Sequence, residues 1–107
     1  MKASNNRIKI VVQRPGEISE ITVIDNTLLE FQRLVGGHIE VHSLGNGRLI
    51  VMNEAGRLKG LPENIRCNEF GAIVGTVLMT AENGEDFRSM TVAEIQSARE
   101  WLLRHSV

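Results

Sequence analysis

The apolar run Leu49-Ile50-Val51-Met52 stops at Asn53-Glu54-Ala55-Gly56, and this abrupt change restricts the fold more than any other feature. Four consecutive apolar residues without alternation describe a strand covered on both faces, by helices or by another subunit. The four residues that follow read as a turn, with Gly56 supplying the positive φ that a type I turn and bulge requires. Arg57, Lys59 and the exit Gly60-Leu61-Pro62 then lie on the return path.

Period-two patterns place further strands around this one. Ile8, Ile10 and Val12 alternate with Lys9, Val11 and Gln13, and Arg14-Pro15-Gly16-Glu17 turns the chain into a second strand over residues 18–24. Ile39 and Val41 alternate with Glu40 and His42, and Leu44-Gly45-Asn46-Gly47 leads into the run ending at Met52, making a second hairpin. Residues 72–80 read as one long strand interrupted by Gly75, where a glycine marks a bulge or a close approach. The stretches 64–71 and 82–89 read as the longest irregular segments.

Two helices are expected. Asp25 or Asn26 caps a short central helix carrying Leu28, Phe31, Leu34 and Val35 on one face, and Gly36-Gly37 ends it. Near the C-terminus, Thr91 and Glu94 form a capping box, and Met90 with Ile95 the accompanying hydrophobic staple. Val92, Ile95, Ala98, Trp101 and Leu102 make this second helix amphipathic. The fold class is therefore α+β: one domain over residues 1–107, with a mostly antiparallel sheet of about five strands built from hairpins and covered by both helices.

At 107 residues there is room for one core, but not for a deep cleft between domains. Twelve basic residues against 13 acidic ones lack the cationic excess of a general DNA or RNA binder. No stretch approaches the roughly 20 apolar residues that span a bilayer, and none has the length of a signal peptide. The lone Cys67 cannot form an internal disulfide, which suits a buried or bystander thiol and a cytosolic setting. His38 and His42 are four apart outside a helix and need not converge on a metal, while His105 suits a structural role at a helix end.

No nucleophile elbow or phosphate loop is present, since Gly71 and Gly75 lack the Lys-Ser/Thr that would follow. Glu54, Glu63, Glu69, Glu82, Glu85 and Asp86 read as solvated loop charges. The expectation is a noncatalytic protein without metal or cofactor. Within Asn53–Asn64, one reading makes Gly56 and Pro62 turn formers, Leu58 and Leu61 core plugs, and Arg57 and Lys59 solvated charges. The other places Arg57 and Lys59 on one face of an extended chain, where both meet a phosphate while Asn53 or Asn64 reads a base or ribose edge. Arg48, Arg66 or Arg88 are candidates to complete such a site across an oligomer interface.

The pattern Asn53-Glu54-x-Gly56-Arg57-Leu58-Lys59-Gly60-Leu61-Pro62-x-Asn64, preceded by Leu34-Val35-Gly36-Gly37 with Ile39-Glu40 and followed by Ile73-Val74-Gly75, resembles the family catalogued as domain of unknown function 3846. Ala55 stands where that family often has an acidic residue, and Arg57 where it often has Lys. The resemblance implies a small α+β domain carried largely by bacteriophages and other mobile elements, and no established activity. In that setting the expected function is a sponge that sequesters an anionic nucleotide immune signal, a cyclic oligonucleotide or an ADP-ribose-like molecule, as a homodimer or larger assembly. The alternative is a small interaction module that inhibits a host or defence protein through a strand edge or the last helix.

Overall fold

The computed structural model describes residues 6–107. Its elements run β1 (Arg7–Gln13), β2 (Glu20–Asp25), α1 (Leu28–Val35), β3 (Ile39–Gly45), β4 (Arg48–Asn53), β5 (Glu63–Cys67), β6 (Gly71–Val74), β7 (Val77–Asn83), β8 (Asp86–Arg88) and α2 (Val92–His105). The main sheet is antiparallel in the order β2-β1-β7-β4-β3, with β8 also paired to β7. Both hairpins expected near the N-terminus therefore share one sheet, joined through β7.

Side chains on neighbouring strand positions point to opposite faces, so each central strand feeds two cores. Ile8, Ile10, Val12, Ile24, Val51 and Leu78 pack with Phe31 and Val35 of α1. Val11, Ile50, Met52, Val77 and Met79 pack on the other face with Ile95, Ala98, Trp101 and Leu102 of α2 and with Ile65, Cys67 and Ile73 of the β5–β6 hairpin. This explains the uninterrupted apolar run in β4, which is covered on both sides within the one chain.

Several boundaries differ from the sequence reading. Residues 72–80 are not one strand. Gly75 has φ +76°, and its amide donates to Pro62 O at 2.8 Å, so the chain leaves the small β5–β6 sheet there and enters the main sheet as β7. The supposedly irregular stretches 64–71 and 82–89 contain most of β5 and the β7–β8 turn, which Gly84 closes at φ +67°. The second strand begins at Glu20, leaving Ile18 in the preceding turn and 81% exposed.

The cap of α1 is Thr27, whose hydroxyl accepts from Glu30 N at 3.2 Å. Asn26 is otherwise engaged, donating to Phe87 O and Asp86 Oδ1. The capping box of α2 forms as expected, with Thr91 Oγ1 accepting from Glu94 N and Glu94 Oε1 accepting from Thr91 N. Met90 and Ile95 meet in the same core, which completes the staple.

Candidate functional site

The mid-chain segment does not run extended. Lys59 N donates to Ala55 O, Gly60 N to Arg57 O and Leu61 N to Gly56 O, coiling residues 55–61 into consecutive turns. Arg57 and Lys59 consequently do not share a strand face. Arg57 Nη2 reaches the carbonyls of Phe70 and Ala72, while Lys59 Nζ donates to Gly36 O at 3.2 Å, at the end of α1. Gly56 does not adopt the expected positive φ; that conformation belongs to Gly60, at +68°. Glycine at position 56 answers to a close approach instead, because a Cβ there would stand 2.8 Å from Val74 Cγ2. Leu58 is no core plug, being 93% exposed, whereas Leu61 is half-buried against Gly75.

Asn53 is a buried strut: Nδ2 donates to Val35 O at 3.0 Å and Oδ1 accepts from Ala55 N at 2.8 Å. Gly37 permits this, since a Cβ on it would lie 3.0 Å from both Asn53 Nδ2 and Lys59 Nζ. The segment thus fastens the end of α1 to β4. Arg48 donates to the carbonyls of Leu44 and Gly45 and to Ser97 Oγ, tying the β3–β4 turn to α2. Arg66 is exposed and pairs with Glu63 at 2.7 Å. The six expected ligand-binding residues therefore do not converge on one site.

A cavity of about 400 Å³ does lie beside Arg57, lined also by Glu40, His42, Glu54, Glu69 and Phe70. His42 Nε2 contacts Glu40 Oε2 at 2.6 Å, and its ring packs against Phe70 with centroids 4.9 Å apart. Three carboxylates face one guanidinium, so the electrostatics of this hollow oppose an anion. Lys59 does not line it. His38 contacts Gln32 rather than His42, and among the described residues no cluster of three His, Cys, Asp or Glu is placed to hold a metal ion.

A larger groove, about 530 Å³, opens between the β1–β2 turn and α2. Ile18, Leu103 and Val107 form apolar walls and are 81%, 74% and 59% exposed. Arg99 stitches the two sides together, donating from Nε to Ser19 Oγ at 3.1 Å and from Nη2 to Ser19 O at 3.0 Å. The floor is Gln13 and Asn64, both buried, with Ser106 beside them. Asn64 Nδ2 donates to Gln13 O and Gly75 O, and its Oδ1 accepts from Gln13 Nε2 at 3.0 Å. Gln13 Nε2 also donates to Ser106 Oγ at 2.9 Å.

Of the residues expected to bind a ligand, only Asn64 reaches this groove. Gln13, Ser19, Arg99 and Leu103 were not legible as site residues. The one local signal was Gln13, a polar side chain ending the strand position series that begins with Lys9 and Val11, whose middle member is core.

Among the described residues, the one large acid–base perturbation lies outside both hollows. A bidentate hydrogen bond from Arg88, at 2.9 and 2.8 Å, holds the Glu94 carboxyl down at about 2, with help from Thr91. That shift belongs to a helix cap. His105 stacks on Trp101 with centroids 4.3 Å apart, and Cys67 is buried in the core.

No helix among the described residues is long and apolar enough to cross a membrane. No curated protein and no solved structure matches the chain significantly. The family model described as Domain of unknown function (DUF3846) matches residues 8–103, from β1 into α2, and the chain belongs to that family.

Proposed function

We propose that the protein is a noncatalytic binding module that captures a small ligand in the groove between the β1–β2 turn and α2. The observation carrying this reading is the union of exposed apolar walls, Ile18 and Leu103, with a buried, hydrogen-bonded floor, Gln13 and Asn64. Ligand sites commonly measure about 300–1,000 Å³ and combine apolar lining with a few fixed polar groups.

A fragment screen read by backbone amide shifts tests this. Hits are expected to move Ile18, Ser19 and Leu103, and to be lost in Leu103→Arg, a substitution at an exposed wall. Hits that ignore these residues would overturn the assignment.

A second reading, sequestration of an anionic nucleotide by a homo-oligomeric mobile-element protein in the cytosol, is supported by Arg57 at the rim of the smaller cavity beside the Phe70 and His42 rings, where a base could stack. Glu40, Glu54 and Glu69 weigh against it. Thermal shift with cyclic dinucleotides and ADP-ribose separates the two: a rise in melting temperature that Arg57→Ala abolishes would favour the nucleotide reading over the groove.

A further inference from the structure

The orientation of the Gln13 side-chain amide is dictated by its neighbours. Asn64 Nδ2 must face the two carbonyls it serves, Gln13 O at 2.8 Å and Gly75 O at 2.9 Å, because an oxygen in that position would confront two acceptors. Asn64 Oδ1 is thereby the acceptor toward Gln13, and the atom of Gln13 that meets it is Nε2. Both Nε2 hydrogens are consumed, one by Asn64 Oδ1 and the other by Ser106 Oγ. Gln13 Oε1 is left without a donor among the described residues, yet it is not sealed in the interior, and its side chain lines the groove. Both Asn64 amide hydrogens are likewise used, and its Oδ1 already accepts from Gln13. A residue that is 3% exposed thus presents the one floor amide oxygen that accepts no hydrogen bond from the described residues.

We propose that the groove selects a small, uncharged ligand with an apolar body and one N–H or O–H directed at Gln13 Oε1. This rests on the capture reading above and names the ligand's chemistry. The apolar body covers Ile18 and Leu103, whose exposure is the source of the hydrophobic gain. A ligand without a donor strips solvent from the Gln13 oxygen and returns nothing, whereas a ligand acceptor placed there is repelled. At the rim, Arg99 is outnumbered by Glu17 and Glu100, which disfavours an anion. The volume of about 530 Å³ suits a small molecule of one or a few fused rings.

Indole and benzofuran test the idea on the full chain, because they match in shape and differ in possessing the N–H. Titrations followed by backbone and side-chain amide shifts should move Ile18, Leu103 and the Gln13 side-chain amide, with indole binding about tenfold more tightly, equivalent to roughly 1.4 kcal/mol. Leu103→Trp, which fills the groove from an exposed position, should abolish both. Equal affinities with shifts confined to the groove would overturn the donor requirement and leave capture standing. Groove resonances unmoved by either compound would remove the capture reading together with the inference.

Discussion

Gln13 and Asn64 are 51 residues apart in sequence and bind each other twice: Gln13 Nε2 donates to Asn64 Oδ1 at 3.0 Å, and Asn64 Nδ2 donates to Gln13 O at 2.8 Å. The exchange joins the end of β1 to β5. Because Asn64 also serves Gly75 O, and its own main-chain carbonyl accepts from Val107 N, one asparagine holds both sheets and the end of the chain beyond α2 in register. Buried polar groups so connected fix one arrangement of the elements around them.

Asn64→Ala should therefore cost about 2–4 kcal/mol, since it leaves two buried carbonyls and part of the Gln13 amide unpaired. Asn64→Asp should cost at least as much, because a carboxylate oxygen would face those carbonyls. Arg66→Ala, which removes only an exposed ion pair with Glu63, should cost less than about 1 kcal/mol. Urea unfolding measures all three. An Asn64→Asp variant as stable as the parent would refute the hydrogen-bond assignment.

Arg57 and Lys59 act on different parts of the fold, so their alanine variants should loosen different backbones. Lys59→Ala should speed hydrogen exchange at Gly36 and Gly37, whose amides bond Gln32 O at the end of α1. Arg57→Ala should do so around β6, near Phe70 and Ala72. Each should destabilise by about 0.5–1.5 kcal/mol, the net worth of an ordinary hydrogen bond. Identical exchange patterns in the two variants would contradict this division of labour.

Gly56→Ala should cost about 1–3 kcal/mol through overpacking, because the new methyl would lie 2.8 Å from Val74 Cγ2. In a Val74→Ala background the penalty should shrink, giving a measurable coupling in a double-mutant cycle. Gly60→Ala has no such neighbour, and its cost of about 1 kcal/mol should come from the positive φ alone, unaffected by position 74.

The Arg88–Glu94 pair sets an acid limit. The folded carboxyl, at about 2, lies below its ordinary 4.5, so its contribution is fully present above pH 4.5 and is lost as pH falls toward 2. Glu94→Gln retains an oxygen for the Thr91 amide but removes the charge. The stability gap between parent and variant should be constant from pH 7 to about 5 and narrow steadily below 4.5, measured by urea unfolding at each pH. A gap that widens on acidification would reverse the assigned sign.

Local chemistry was enough to specify the α+β class, the first two hairpins, the glycine that ends α1 and the capping box of α2, because each depends on residues within a few positions of one another. The distinctive mid-chain pattern was equally legible as a turn segment with a packing role, although its details were not. Gly56 reads locally as a positive-φ residue; only Val74, brought alongside by β6, reveals that it is needed for closeness. Residues 72–80 read as one strand because both halves are apolar, and only the pull of two different sheets separates them at Gly75.

The groove between the β1–β2 turn and α2 was invisible for the same reason. Its walls come from a turn near residue 18 and a helix face near residue 103, and its floor from two amides with no sequence signature in common. A chain records its own helical and strand periods, but packing decides which polar atom is left unpartnered beside which apolar surface, and that relation exists only after distant segments have closed on one another.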